Sequence, residues 1–170
     1  EVEKPTPKDN ELLIKVHATT VNAGDARMRS FDVPPLFWLP ARLTLGFTKP
    51  KHPIYGMELA GEVEVVGKDV TRFKAGDEVF GDLSGTWGGF AEYVCAREKA
   101  LGHKPHSMSF EDAASIPQAA MLAVQGLIDE GRVQAGQKIL LNGAGGGVGT
   151  FALQILKPLN AEVTVVDTAA

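Results

Sequence analysis

Residues 139–149 read Ile-Leu-Leu-Asn-Gly-Ala-Gly-Gly-Gly-Val-Gly, and this stretch decides the fold of the segment around it. The apolar run before the glycines predicts a β-strand, and residues 150–156 after them predict an α-helix. Ala144, Gly146 and Gly149 occupy the three small-residue positions of the dinucleotide fingerprint, where backbone N–H groups and the start of the helix meet a pyrophosphate. The pattern therefore predicts a strand, a tight turn and a helix that bind a dinucleotide.

A second β-rich run closes this unit at residues 162–166, and Asp167 follows it, eighteen residues after Gly149. That distance is typical of the acidic residue that binds the adenosine ribose hydroxyls in such folds. A carboxylate there also repels the 2′-phosphate of NADP, so Asp167 favours NAD(H) over NADP(H). The alternative interpretation is a glycine-rich loop that only connects two elements.

The composition is that of an ordinary globular chain, since 44% of its 170 residues are hydrophobic and 22% are charged. A formal net charge of −4 argues against nucleic acid or an anionic membrane as a partner. No apolar segment approaches the roughly 20 residues of a membrane-spanning helix, and the N-terminal residues do not resemble a secretion signal. We therefore predict a cytoplasmic protein that binds neither nucleic acid nor a membrane.

The chain before residue 114 alternates short apolar runs with glycine turns, which is typical of a small β-barrel. Residues 31–53 interrupt this pattern with prolines and aromatic residues, and we predict a long loop there that flanks a substrate pocket. Helical signals begin at Ser109, which resembles an N-cap. Cys95, the only cysteine, lies in a predicted strand, which indicates a core residue rather than a reactive thiol.

The predicted parallel sheet contains only two strands, near residues 138–142 and 162–167. Parallel sheets are buried on both faces and need three or more strands to be stable. We therefore expect either that the chain is a fragment of a longer protein or that another chain supplies the missing strands.

Four motifs follow one another along the chain: Val-Asn-Ala-Gly-Asp at residues 21–25, Gly-Met-Glu-Leu-Ala-Gly at 56–61, Phe-Lys-Ala-Gly-Asp-Glu-Val at 73–79, and the glycine stretch at 142–149. In this order and spacing the chain resembles the medium-chain dehydrogenase/reductase superfamily, and within it the zinc-independent quinone oxidoreductase and NAD(P)-dependent alcohol dehydrogenase-like branch. The resemblance implies an α/β fold with a β-barrel. A GroES-like catalytic domain over residues 1–113 would precede the first βαβ part of a Rossmann domain over residues 114–170. The resemblance also implies NAD(P)H as cofactor and a homodimer in the full-length protein.

The chain departs from the zinc-dependent members of this superfamily at their metal ligands. Those members place a cysteine where this chain has Asn22, and a His-Glu pair where it has Met57 and Glu58. A tetrahedral catalytic zinc takes three protein ligands, and in this set only Glu58 is a ligand of zinc. We therefore predict no metal site.

Without a Lewis-acid metal a simple ketone is hard to polarise, whereas a quinone or an α,β-unsaturated carbonyl delocalises an arriving hydride onto its own oxygen. We therefore predict hydride transfer from NAD(P)H to a small-molecule quinone or enone. The catalytic candidates are Asn22, which would hold nicotinamide or substrate by its amide, and Tyr55, which would donate to the developing oxyanion. Asn22 could equally stabilise a turn, and Tyr55 could be an aromatic core residue.

Two other functions fit the same residues. One is a zinc-free alcohol dehydrogenase-like enzyme that works in the oxidative direction, and the other is a non-catalytic cofactor-binding or structural member of the superfamily. The branch that the chain resembles generally favours NADPH, whereas the carboxylate of Asp167 favours NADH, and we predict NAD(H). The residues predicted to contact the cofactor are Asn22, Ala144, Gly145, Gly146, Gly147, Val148, Gly149 and Asp167.

Overall fold

The computed structural model describes residues 2–47 and 51–168. The chain forms two compact units, the first ending at Ser115 and the second beginning at Ile116. The domain boundary predicted after residue 113 lies two residues earlier, inside a short helix whose Ala113 and Ala114 are buried in the first unit. No helix in the described part of the chain is long and apolar enough to cross a membrane.

The first unit is built on one five-stranded antiparallel sheet. Its described strands are β1 (Glu11–Ala18), β2 (Glu58–Val66), β3 (Glu78–Asp82), β4 (Tyr93–Arg97) and β5 (Leu101–His103). They lie in the order β4-β1-β2-β3-β5. Burial alternates along β3 and β4, because successive side chains of a strand point to opposite faces. The buried face forms an apolar core that includes Leu12, Ile14, Leu59, Val63, Val79, Leu83 and Leu101.

Cys95 lies in β4, in the strand that the sequence predicted, and its side chain is half-buried. Burial, and secondarily the nearby carboxylate of Glu11, raise the pKa of the Cys95 thiol to about 11. The thiol is therefore protonated at neutral pH, as expected of a core residue rather than a nucleophile.

The described α-helices that accompany this sheet are α1 (Ala23–Ser30), α2 (Pro35–Leu45) and α3 (Phe110–Ala114). Ser109 caps α3, as predicted, and accepts a hydrogen bond from the Asp112 N–H at 3.0 Å.

Helix α2 corrects the prediction of a long loop over residues 31–53. Pro35 stands in the first turn, where a missing backbone N–H costs nothing, so the proline that suggested a loop is compatible with the start of a helix. Pro40 stands inside the helix and removes one hydrogen bond without ending it. Residues 48–50 of the predicted loop lie outside the described part of the chain.

A close backbone crossing joins the segment before β2 to the segment before β4. The Gly89 N–H donates to the Gly56 carbonyl at 3.1 Å, and the Phe90 N–H donates to the Tyr55 carbonyl at 2.9 Å. Gly56 has φ +98°, and a Cβ built on it would lie 2.5 Å from the Phe90 nitrogen. Only glycine satisfies both conditions, so Gly56 holds Tyr55 and Phe90 side by side.

We predict that Gly56→Ala destabilises the protein more than Gly85→Ala does. Gly85 has φ +92° but nothing within 4 Å of a built Cβ, so its substitution adds backbone strain alone, about 1 kcal/mol. Gly56→Ala adds a collision with backbone that cannot move aside, and we expect a total loss of about 3 kcal/mol or more. Urea unfolding of the two variants measures the difference, and equal losses would contradict this description of the crossing.

The second unit carries the glycine stretch. Its helices are α4 (Pro117–Val124), continued by a π-helical segment over Gln125–Glu130, and α5 (Gly147–Leu156). Its strands are β6 (Lys138–Asn142) and β7 (Glu162–Val166), which pair in parallel from Lys138 opposite Glu162 to Asn142 opposite Val166. The predicted succession of strand, turn, helix and strand is confirmed. Asn160 has φ 49° and takes the left-handed cap position after the short helical turn Lys157–Leu159 that follows α5.

Candidate functional site

The glycine stretch turns the chain sharply from β6 into α5. Gly143 has φ +79°, a left-handed conformation that glycine adopts without strain. A Cβ on Gly149 would lie 2.5 Å from the Gly143 carbonyl oxygen, so the third small residue of the fingerprint is required by the packing of α5 on the turn. A Cβ on Gly146 would meet nothing closer than 3.6 Å. The fold itself therefore tolerates a side chain at Gly146, which leaves close approach of a ligand as the reason for glycine there.

Helix α5 begins at this turn without a side-chain cap, since its N-cap residue is Gly146. The first N–H groups of a helix lack intrahelical partners and carry the positive end of the helix dipole. An uncapped start next to small residues is therefore chemically suited to a pyrophosphate. Within this turn Ala144 is buried, whereas Gly145, Gly146, Gly147 and Val148 are exposed.

Asp167 lies beside the same turn, just after β7. Its carboxylate accepts a hydrogen bond from the Gly145 N–H through Oδ2 and one from the Thr168 N–H at 2.8 Å through Oδ1. The Gly145 bond, and secondarily the Thr168 bond, lower the pKa of Asp167 below its ordinary value. The carboxylate is therefore ionised at neutral pH and adjoins the glycine stretch within the second unit.

Asn22 forms the N-terminus of α1 in the first unit. Its Oδ1 accepts hydrogen bonds from the N–H groups of Gly24 at 2.8 Å and Asp25 at 3.1 Å. The Asp25 carboxylate in turn accepts from the Asn22 N–H at 3.1 Å, which completes a capping box. Of the two interpretations left open for Asn22, the turn-stabilising one is what these contacts show. The predicted contact with nicotinamide or substrate stays a prediction. Because Oδ1 already accepts two hydrogen bonds and Nδ2 donates one to Glu58, this contact would use the remaining hydrogen of Nδ2.

Glu58 holds this turn against β2. Its side chain is buried, with 4% exposed, and its Oε2 accepts hydrogen bonds from Thr20 Oγ1 at 2.5 Å and from Asn22 Nδ2 at 3.1 Å. Thr19 Oγ1 also donates to the Glu58 carbonyl at 2.6 Å. A buried carboxylate is costly unless such donors compensate it. Glu58 therefore ties the exit of β1 and the start of α1 to the start of β2, a contact that was not predicted.

The donor set around Glu58 does not fit a zinc ion. Asn22 and the buried Met57 occupy the other two positions, and neither an amide nor a thioether is a ligand that zinc prefers. Among residues 2–47 and 51–168 no three His, Cys, Asp or Glu side chains lie close enough together to hold a metal ion.

Tyr55 lies at the junction of two cavities in the first unit. One, of about 280 Å³, is also lined by Arg29, Arg42 and Trp87. The other, of about 660 Å³, has a mostly apolar surface and is lined by Phe90 as well. Tyr55 is half-buried, and its hydroxyl forms no hydrogen bond with a residue that the structure describes. The geometry therefore leaves this hydroxyl available to a ligand, and Asn22 is not among the residues that line these two cavities.

The family model for the alcohol dehydrogenase GroES-like domain matches residues 8–106. The chain belongs to this family. The resemblance to the medium-chain dehydrogenase/reductase superfamily is confirmed, and with it the GroES-like fold of the first unit, followed by the first part of a Rossmann domain.

Two curated relatives are quinone oxidoreductases by name. The chain is 38% identical over 161 residues to the quinone oxidoreductase of Sus scrofa, which covers 94% of the chain and 44% of the relative. It is 37% identical over 171 residues to the chloroplast envelope quinone oxidoreductase homolog of Arabidopsis thaliana, covering 96% of the chain and 49% of the relative. The chain thus spans less than half the length of either relative.

A solved structure extends the comparison. The quinone oxidoreductase of Escherichia coli complexed with NADPH superposes with a TM-score of 0.81 at 26% identity, over 100% of this chain and 48% of that one. The similarity therefore includes both units of the present chain, the glycine stretch among them.

Proposed function

We propose that the protein is an oxidoreductase that transfers a hydride from NAD(P)H to a quinone or an α,β-unsaturated carbonyl without a metal ion. The observation that carries the proposal is the set Asn22, Met57 and Glu58, in which the carboxylate accepts hydrogen bonds from Thr20 and Asn22 and the other two residues are not zinc ligands. An acceptor that delocalises negative charge by itself does not require a Lewis acid. The names of the relatives support the same class of acceptor.

The second unit supplies the proposed cofactor site. The turn over residues 143–149 and the uncapped start of α5 would hold the pyrophosphate, and Asp167 would accept hydrogen bonds from the ribose hydroxyls. NAD(P)H supplies the hydride when it is bound. The chain's own residues bind and orient it, and the NADPH complex of the Escherichia coli relative supports this assignment.

The first unit supplies the proposed acceptor site. Tyr55 would donate its hydroxyl to the acceptor oxygen as negative charge develops there, which is worth most in a site with little water. Val21, Ala26 and Phe90 line the larger cavity with apolar surface and would exclude water from it. Asn22 acts as a positioning residue, because its amide fixes the start of α1. The homodimer and the cytoplasmic location stay predictions.

Turnover with 9,10-phenanthrenequinone tests the proposal. The purified protein should oxidise NADH or NADPH in the presence of this quinone, before and after treatment with EDTA, and should contain no stoichiometric zinc. Loss of one zinc per chain together with activity would contradict the metal-free mechanism. Reduction of NAD by primary alcohols without any quinone turnover would instead favour the alcohol dehydrogenase-like function.

Two variants sharpen the same measurement. Gly146→Val should abolish turnover with a much smaller effect on the melting temperature, because a Cβ at this position meets no protein atom closer than 3.6 Å but lies in the place proposed for the pyrophosphate. Tyr55→Phe should lower kcat about tenfold or more through the loss of one oxyanion donor. A Tyr55→Phe variant with unchanged kcat would leave the tyrosine with a packing role only.

The preference between the two cofactors depends on Asp167. An ionised carboxylate beside the ribose repels a 2′-phosphate, so we predict tighter binding of NADH than of NADPH. Asp167→Ser should shift the ratio of the two dissociation constants toward NADPH by about tenfold. Calorimetric titration of both cofactors measures this ratio. Tighter NADPH binding by the unmodified protein, unaltered by the substitution, would remove Asp167 from the cofactor site.

A further inference from the structure

The smaller of the two cavities beside Tyr55 is lined by hydrogen-bond donors. Arg29 from α1, Arg42 from α2, and the rings of His52, Tyr55 and Trp87 all line it, and none of its described lining residues carries a carboxylate. Its volume of about 280 Å³ is enough for a small functional group of a ligand. A cavity of this lining repels cations and favours an acceptor of hydrogen bonds with negative charge.

The two arginines on this cavity have no acidic partner among residues 2–47 and 51–168. Among the described residues neither Arg29 nor Arg42 forms an ion pair or a side-chain hydrogen bond, and every described ion pair uses a lysine instead. The Arg42 guanidinium stacks 3.9 Å from the centre of the Phe31 ring. Stacking fixes the plane of a guanidinium and leaves its N–H edges available for a carboxylate.

Trp87 adds an independent observation on the same wall. Its indole Nε1 is buried and has no hydrogen-bond partner in the described part of the chain. The His52 ring packs edge-on against it at 4.8 Å between ring centres. A buried donor without a partner is costly, and such atoms are rare in folded proteins unless a ligand satisfies them.

The larger cavity adjoins the smaller one, since both are lined by Arg29, Ser30 and Tyr55. Its wall is apolar apart from this junction and Asp25, whose side chain is 4% exposed. The Asp25 carboxylate lines only the larger of these two cavities and repels an anion there, whereas both arginines line the smaller cavity and attract an anion to it. The two cavities together therefore suit an elongated molecule with an apolar body and one acidic end.

We propose that the acceptor carries a carboxylate, which Arg29 and Arg42 bind in the smaller cavity while its apolar body lies against Tyr55 and Phe90. This inference rests on the proposed function and names its substrate class as acidic aryl or alkyl enones. In the reaction the alkene carbon β to the ketone gains a hydride from NAD(P)H, and the neighbouring carbon gains a proton from solvent. The enone is thereby reduced to a saturated ketone, and the cofactor is oxidised to NAD(P)⁺.

A matched pair of acceptors tests this specificity. trans-3-Benzoylacrylate and its methyl ester share one aromatic body and differ in the charge of one end. Both compounds can add to a cysteine thiolate. Burial raises the pKa of the Cys95 thiol to about 11, so very little thiolate is present at pH 7 and this side reaction is slow. The value of kcat/KM is measured for both compounds with the unmodified protein and with Arg29→Gln, Arg42→Gln and Arg29→Lys.

We expect Arg29→Gln and Arg42→Gln each to lower kcat/KM for the acid about tenfold, the size of one lost charge-assisted hydrogen bond, and to change that for the ester less than about twofold. Arg29→Lys should restore part of the loss, because it keeps the charge. Arg27→Gln is the matched control, since Arg27 lies on the same helix but lines neither cavity, and it should change neither value.

Equal effects of Arg29→Gln on acid and ester, or no effect on the acid, would overturn the inference. If the unmodified protein turns over neither the acid nor the ester, the result counts against the proposed function instead. In that case calorimetric binding of benzoylacrylate still decides the inference: binding about tenfold weaker in Arg29→Gln than in Arg27→Gln supports it, and equal binding overturns it.

Discussion

The buried carboxylate of Glu58 is the contact on which the rest of the first unit depends. It receives hydrogen bonds from Thr20 and Asn22, and the Thr19 hydroxyl donates to its backbone carbonyl, so three side chains of the turn after β1 converge on one residue of β2. A buried charge without donors would cost several kcal/mol, which makes the approach of this turn obligatory for the fold. Because Asn22 caps α1, the same contact fixes the position of this helix. Its residues Asp25 and Arg29 line the cavities described above. The resemblance of the sequence implies metal ligands at this place in zinc-dependent members, whereas here the amide and the threonine hydroxyl satisfy the carboxylate.

The two units divide the proposed chemistry between them. The second unit contributes small residues, an uncapped helix start and one ionised carboxylate, which together suit a dinucleotide. The first unit contributes an apolar cavity, a tyrosine hydroxyl and two arginines that have no acidic partner in the described part of the chain. Cofactor binding and acceptor selection therefore rest on different residues. For that reason, substitutions at Asp167 should change the kinetic constants for the cofactor, and substitutions at Arg29 should change those for the acceptor.

Local patterns in the sequence predicted the elements that are encoded locally. The strand, turn and helix around the glycine stretch followed from its apolar flanks and small residues, and the cap at Ser109 followed from its acidic first turn. Asn22 and Asp25 at positions i and i+3 carry a capping-box signal that could also have been read. The contact between Glu58 and Thr20 joins residues 38 apart, and no local pattern encodes it. The sequence did not predict helix α2, because its prolines suggest a loop, although Pro35 in the first turn is compatible with a helix. For the same reason Arg42 could not be placed on a cavity from the sequence.

A double-mutant cycle between Thr20 and Glu58 tests most directly whether this carboxylate is a structural anchor. The free energy of unfolding is measured by urea titration for Thr20→Val, Glu58→Gln and the double variant. A hydrogen bond to a buried charge predicts a coupling energy of about 1 kcal/mol or more. The control pair is Thr44→Val with Glu58→Gln, which should be additive because the Thr44 hydroxyl bonds only to carbonyls of α2. Additive effects of Thr20→Val and Glu58→Gln would contradict the account.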